Sequence, residues 1–270
     1  MDAFNAAITG FFDLILKPFS ARPVYGLLFL SFVAGIVLLK LFGMVSNQAK
    51  IKKTKDKIQA HILEIVLYRD NLGLSLKAAA KTLVTNLVYI QHAMFPLVVL
   101  MIPCLVLLAQ MHIRYGSRPF NVGEETTIKI KADSSATLDR LSIATTEGLK
   151  VLPPPLKIKA EHEISWRVQT VTVGAQKITI QDGDHAYEKM VYVGPGQDKL
   201  SSARFKSPWK SFLYPGEKSL DPASSVLEMT VQYPEVSHHV FKFSMNWLVI
   251  FFVVSIVSGL LFKDLLKVEI

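Results

Sequence analysis

The chain has 270 residues, half of them hydrophobic, and a formal net charge of +8, so basic segments alternate with long apolar ones. A basic protein of this size could bind nucleic acid, but the basic residues cluster beside apolar runs that are long enough to cross a bilayer, which argues against a DNA-binding protein. The single cysteine, Cys104, lies within one of these runs, so no disulfide can stabilise the polar segments.

The first 23 residues do not resemble a cleaved signal peptide, because Asp2 replaces the basic start that such peptides have. Phe4, Ile8, Phe11 and Ile15 recur at helical spacing. Residues 1–23 are therefore predicted to form an amphipathic helix on the outer membrane surface. A frayed apolar terminus is the alternative.

Three apolar runs follow, at residues 24–45, 93–111 and 246–262. Each is about the ~20 residues that a helix needs to span a bilayer. They predict transmembrane helices at 24–45, 93–112 and 241–263. Ser31 with Gly35, and Ser255 with Gly259, are small residues at i, i+4 spacing, which permits close packing between spans.

Residues 46–92 are helical in pattern and carry eight basic residues against three acidic ones. The positive-inside rule places this segment in the cytoplasm, and the tail 264–270 with it. The N-terminus and residues 113–240 then lie outside the cytoplasmic (inner) membrane of a prokaryote. The basic patch of the segment comprises Lys50, Lys52, Lys53, Lys55 and Lys57.

The same segment is predicted to fold as a helical hairpin with a break at residues 71–73. Its first arm has an apolar face, and its second arm has a complementary one, so the arms are expected to pack like a coiled coil. These faces are Ile51, Ile58, Ile62 and Ile65, and then Leu76, Ala79, Ala80, Leu83 and Leu87. The basic charge serves either topogenesis and attraction to anionic lipid, or an acidic or RNA-bearing partner such as a ribosome.

Residues 113–240 alternate apolar and polar side chains in short stretches bounded by turn residues, as in Ile128/Ile130 and Ile178/Ile180. About seven strands predict an all-β, immunoglobulin-like sandwich with Trp166 in its core. The pattern lapses at residues 195–222, where Lys206, Trp209, Lys210 and Phe212 suggest a loop that binds an external partner or lipid head groups. A disordered connection is the alternative.

Catalytic signatures are weak. Asp182, Asp184 and His185 could mimic a metal loop, but Asp-Gly between strands is first a hairpin turn. His238 and His239 are adjacent and would point to opposite faces of a strand. We therefore expect no enzyme, no metal and no cofactor.

Short motifs give the chain a resemblance to a family. Lys57-Ile58-Gln59-Ala60 lies in the first hairpin arm, and Met94-Phe95-Pro96-Leu97 and Met101-Ile102-Pro103 lie in the second apolar run. With the order of span, basic hairpin, proline-containing span and third span, they resemble the core of the YidC-type membrane insertases, which include the insertase subunit of the endoplasmic reticulum membrane complex. The resemblance covers about 150 of the 270 residues.

The resemblance implies a polar groove between the three spans that opens to the cytoplasm and receives nascent membrane proteins. Lys40 would be its cation, although a lysine this near a helix end could instead snorkel to the surface. Met94 and Met101 would offer an adaptable apolar surface, and Gln91 and Gln110 polar contacts.

The chain departs from the family in two respects. Bacterial members usually have two further spans after this core, and their connection between the second and third spans is short, whereas here it contains a whole domain. We therefore expect an insertase or a membrane-client chaperone, and as the alternative a non-catalytic scaffold subunit of an envelope complex that binds its partner through the β domain. An ion channel has weak support.

Overall fold

A computed structural model describes residues 2–195, 199–240 and 243–269. The chain divides into two compact units. Met1–Leu27 and Val106–Trp247 form the first, which we call the β unit, and Leu28–Leu105 with Leu248–Ile270 form the second, the helical unit.

The α-helices are α1 (Asp2–Leu16), α2 (Pro23–Val45), α3 (Gln48–Leu67), α4 (Leu72–Tyr115), α5 (Thr137–Arg140), α6 (Pro208–Leu213) and α7 (Trp247–Phe262). Asn47 caps α3, since its side chain accepts a hydrogen bond from the Lys50 backbone N–H at 3.0 Å. Asn71 caps α4 in the same way, at 3.2 Å from the Leu74 nitrogen. The hairpin thus turns at residues 68–71, slightly before the predicted break.

Two helices, α2 and α4, are long and apolar enough to cross a membrane. In α4 the second hairpin arm and the second predicted span form one helix of 44 residues. The helix α7 has only 16 residues, about 24 Å at ~1.5 Å per residue. It is shorter than predicted, because residues 243–246 at the start of the predicted span pair as a β-strand instead.

Small residues bring α2 and α7 together within the helical unit. A side chain added at Gly35 would collide with the Ser255 carbonyl oxygen and the Ser258 hydroxyl. Ser31 and Ser258 are buried, and Phe32 meets Phe262 edge to face at 5.7 Å between ring centroids. The predicted close packing of these two helices is confirmed.

The strands are β1 (Glu125–Ala132), β2 (Leu141–Thr145), β3 (Leu149–Ile158), β4 (Glu163–Thr170), β5 (Gly174–Asp182), β6 (His185–Val193), β7 (Ala203–Phe205), β8 (Val226–Val231), β9 (Ser237–Val240) and β10 (Phe243–Asn246). A five-stranded sheet has the order β3-β4-β1-β8-β7, and a three-stranded sheet has the order β2-β5-β6. One hydrophobic core includes Ile128, Trp166 and Val168 from the larger sheet and Ile178 and Ile180 from the smaller. The prediction that Trp166 is a core residue is confirmed.

Two parts of the β unit differ from the sequence prediction. The edge strand β3 begins at Leu149, whereas the sequence pattern predicts a strand only at residues 156–159. Its three prolines fall at an irregularity between Leu152 and Leu156, where an edge strand tolerates a missing donor. The segment 195–222, predicted to be a loop, contains β7 and α6. β9 and β10 form a separate two-stranded sheet.

Candidate functional site

An exposed apolar stripe runs along α4. Its residues follow alternating steps of four and three, which keep them on one side of the helix. They are Leu76, Ala80, Leu83, Leu87, Ile90, Met94, Leu97 and Met101. Apart from Ala80, which is also exposed, their relative exposures lie between 50% and 65%. No described residue of the protein therefore covers this stripe, which we call the α4 stripe.

The covered side of the second hairpin arm is a different one. Ala78 is buried there, and Ser75, Thr82, Thr85 and Asn86 are partly buried. Thr82 satisfies its hydroxyl on its own helix, donating to the Ala78 carbonyl at 2.9 Å, and Lys81 pairs with Glu64 of the first arm at 3.4 Å. The predicted packing face of the second arm was thus wrong: its leucines point away, because small and self-satisfied polar residues occupy the covered side.

Two prolines lie inside α4 beside the stripe. Pro96 and Pro103 each lack the N–H that a helix interior needs, so each leaves a backbone carbonyl without its usual donor. The helix nevertheless continues through both to Tyr115. The stripe consequently runs from the basic hairpin into the second predicted span on one continuous helix.

The residues predicted to line a groove are distributed unevenly. Met94 and Met101 belong to the α4 stripe, and Gln91 and Lys40 are exposed. Gln110 is buried: it donates to the Thr9 hydroxyl at 3.1 Å and accepts from Arg114 at 2.7 Å. Because its side-chain amide is already hydrogen-bonded to Thr9 of α1 and to Arg114, Gln110 is not a groove-lining residue.

The basic patch lies on α3. Lys50, Lys52, Lys53 and Lys57 are exposed, and Lys55 pairs with Glu269 at 3.4 Å. The patch is therefore built on one helix that carries a salt bridge to the C-terminal segment of the helical unit.

The helix α1 is held within the β unit by ionic contacts. Asp13 accepts from Arg114 at 2.7 Å and from Lys199 at 2.6 Å. Burial alone would raise the pKa of Asp13, but the hydrogen bonds from Lys199 and Arg114 outweigh it and lower the pKa below its usual value. Since the Arg114 side chain is only 6% exposed, its pairing with Asp13 is the central contact of this cluster.

Both ends of α1 are fixed, and its apolar side is only partly covered. Asp2 accepts hydrogen bonds from Ser219, and Asn5 donates to the Ser211 carbonyl at 3.0 Å. Phe12 is buried, whereas Phe11 and Leu14 are exposed. Sequence periodicity could not reveal this docking, because the partners of α1 lie more than 100 residues away.

The loop residues predicted to bind an external partner are only partly free to do so, because several already contact other residues of the β unit. Lys206 donates to the Ser224 carbonyl at 2.7 Å, and Lys210 pairs with Glu228 at 3.4 Å. Phe212 stacks on Phe4 at 6.1 Å and on Trp209 at 5.6 Å. Trp209, which is 65% exposed, is thus the outer end of an aromatic ladder.

A buried lysine that the sequence did not reveal ties the loop to the sheet. The Lys189 side chain is fully buried and pairs with Glu217 at 2.9 Å and with the Ser201 carbonyl at 3.0 Å. Burial lowers the pKa of Lys189, and Glu217 offsets part of that effect. Both contacts lie within the β unit, so Lys189 joins the loop to β6.

The candidate metal residues have ordinary roles. Asp182 and His185 close the β5–β6 hairpin around Gly183, which has a φ of +59°, so the predicted turn is confirmed. His238 is buried against the Tyr115 carbonyl at 2.8 Å, while His239 is exposed. Within residues 2–195, 199–240 and 243–269, no three His, Cys, Asp or Glu side chains are grouped so that they could hold a metal ion.

Comparison of the chain with protein family models, with curated proteins and with solved structures finds no match.

Proposed function

We propose that the protein is a non-enzymatic membrane insertase or membrane-client chaperone, related to the YidC-type insertases, and that the α4 stripe receives the client. One observation carries the proposal: the stripe is exposed along its whole length and continues without interruption from the basic hairpin into the span. A client segment following it would stay in contact with one helix while moving from water into lipid.

The free energy that would be gained by covering the exposed leucines of the second hairpin arm supports binding of a transient partner there. Covering a leucine fully removes apolar surface worth about 1.5–3 kcal/mol from water. Leu76, Leu83 and Leu87 are all mostly exposed in the arm predicted to lie in the cytoplasm. A helical apolar segment would match their four-three spacing. Farther along, Met94 and Met101 have unbranched side chains that adapt to different client sequences.

The proposal includes a membrane topology. α2, α4 and the shorter α7 would form three spans, with α7 compensating for its length by local thinning of the bilayer or by its flanking residues. The hairpin would be cytoplasmic and the β unit extracytoplasmic, in a prokaryotic inner membrane. Two antiparallel sheets around one core are compatible with an immunoglobulin-like sandwich.

A second candidate is a scaffold subunit of an envelope complex. The exposed Trp209 at the end of its aromatic ladder favours this alternative, because exposed aromatic side chains are frequent anchors of protein interfaces.

Affinity purification in mild detergent distinguishes the two functions. The insertase hypothesis predicts recovery of ribosomes or of many different membrane clients, and loss of these when Leu83 and Met94 are both changed to Ser. Recovery of one stoichiometric envelope complex that is lost with Trp209→Ala, and unaffected by the α4 changes, would establish the scaffold.

A further inference from the structure

A basic cavity of about 440 Å³ lies in the helical unit, between the start of α3 and the segment that follows α7. Lys52 and Lys55 contribute from α3, and Lys263 and Lys267 from the segment after α7. Asp264 and Glu269 are the two carboxylates in its lining. Four lysines against two carboxylates leave the cavity with an excess of two positive charges.

The segment after α7 is folded onto the helices, so its lysines have defined positions. The Glu269 backbone N–H donates to the Gln48 side chain at 2.6 Å. Val268 is buried and lies so close to Gly43 that an added Cβ there would be 2.6 Å from a Val268 methyl. Backbone bonds from Val268 to Lys263 at 3.0 Å, and from Lys267 to Asp264 at 3.2 Å, close the turn.

One residue of this turn has an unfavourable backbone. Lys267 has a φ of +53°, in the left-handed region that residues with a side chain seldom adopt. Such a conformation persists only where the surrounding contacts impose it. Strained positions of this kind concentrate at ligand-binding sites, and here the strained residue contributes one of the four lysines.

Two exposed leucines are close in sequence to the lining lysines. Leu265, between Lys263 and Lys267 in the chain, is 74% exposed, and Leu261 is similarly exposed. A ligand that fits both features has an anionic group for the lysines and a hydrocarbon part for the leucines. Ammonium groups suit phosphate oxygens as point charges.

We propose that this cavity binds the phosphate head group of an anionic phospholipid, whose acyl chain contacts Leu261 and Leu265. The cavity lies beside the C-terminal ends of α2 and α7, next to the helical hairpin, where the lipid head groups of a leaflet would lie. The positive-inside rule makes this the cytoplasmic leaflet. The site is independent of any client. It would fix the hairpin and the C-terminal segment against the membrane surface.

The chain offers a matched control for the lysines. Lys50, Lys53 and Lys57 lie on the same helix, α3, and outside the cavity. Changing three lysines to Gln in either group removes the same charge. If the lipid is attracted by net charge alone, both triple variants should lose the same amount of lipid binding. If the cavity is a built site, lipid binding should fall mainly in the variant that changes the cavity lysines.

The test uses the purified full chain in detergent and native mass spectrometry with phosphatidylglycerol or phosphatidylcholine. We expect the unaltered protein to retain phosphatidylglycerol in preference to phosphatidylcholine, and the Lys50/Lys53/Lys57 variant to keep this preference. Binding of phosphatidylglycerol should weaken at least about tenfold in the Lys52→Gln/Lys263→Gln/Lys267→Gln variant. Equal retention of both lipids by the unaltered protein would overturn the proposal without any variant, and so would equal losses in the two variants.

A competition arm separates a lipid from a free anion. We expect millimolar inorganic phosphate to leave the bound phosphatidylglycerol in place, because phosphate alone lacks the contacts with Leu261 and Leu265. Complete displacement by inorganic phosphate would show a simple anion site and would overturn the lipid assignment.

Discussion

At the scale of single residues, Asp13 shows how one carboxylate holds a helix. It neutralises both Arg114 and Lys199, and Arg114 is nearly inaccessible to water. Asp13→Asn should destabilise the β unit by about 1–2 kcal/mol, since the guanidinium loses its charged acceptor but keeps its bonds to Gln110. Faster limited proteolysis at α1 would report the loss. Asp70→Asn, at a carboxylate that is 94% exposed, should change nothing.

The same carboxylate gives a pH dependence with a definite sign. The pKa of Asp13 is lower in the folded protein than its usual 3.8. Its stabilising contribution is therefore complete above about pH 3.8 and is lost as the pH falls below that value through the lowered pKa. Resistance of α1 to an acid-active protease, followed against pH, should fall in this range in the unaltered protein and stay nearly flat in Asp13→Asn.

Lys189 makes a different prediction, because its charge is fully buried. Lys189→Met leaves Glu217 without its cation and should cost about 3 kcal/mol, as broken buried ion pairs do. The double variant Lys189→Met/Glu217→Leu should recover most of that loss, since no unpaired charge remains. Chemical denaturation of both variants measures the difference. A double variant as unstable as the single one would show that the ion pair itself stabilises the loop.

Variants of Lys40 distinguish a role in client binding from a role in membrane topology. If it is a groove cation, Lys40→Arg should retain client crosslinking, whereas Lys40→Gln and Lys40→Glu should lose it with orientation unchanged. The structural cost of these changes is small, because an ion costs on the order of 3 kcal/mol only at the centre of a span and less near an end. Intact crosslinking in Lys40→Glu would mean that the lysine only snorkels.

At the scale of elements, Gly35 controls how closely α2 and α7 pack. Gly35→Ala puts a methyl group against the Ser255 backbone and the Ser258 side chain and should destabilise the helical unit by about 1–3 kcal/mol. In Gly73→Ala the nearest atom is 3.6 Å away, so this control should be neutral or slightly stabilising. Thermal unfolding in detergent compares them, and equal melting temperatures would refute close packing at Gly35.

Some of these elements were predictable because their signal is local. Apolar length predicts α2 and the span in α4, and strict alternation predicts β1, β4 and β5. The small strand β7 and the helix α6 were missed, since a segment rich in Ser, Pro and Lys has no periodicity. Its structure depends on contacts with residues that are distant in the sequence, such as the pairing of β7 with β8.

The hairpin faces show a second limit. The second arm has two usable faces, one with leucines and one with Ala78, Thr82 and Asn86, and hydrophobicity alone favours the first. The fold covers the second, because Thr82 and Asn86 satisfy their polar atoms on their own helix. The sequence therefore predicted an internal partner for Leu76, Ala80, Leu83 and Leu87, which the structure leaves exposed.

At the scale of the whole molecule, the central claim is that α4 offers a continuous apolar track to membrane clients. Photocrosslinkers at Leu83, Met94 and Met101 would be compared with Val88 and Val99, exposed on the same helix roughly 120–140° away from the stripe. Stalled nascent chains bearing one apolar segment provide the client.

The measurement is the yield of client crosslinks at each position, as the nascent segment lengthens. Transfer along a single track predicts that Leu83 crosslinks first and that Met94 and then Met101 follow, each well above Val88 and Val99. Yields at Val88 and Val99 that equal those on the stripe, or no capture at any position, would contradict the account.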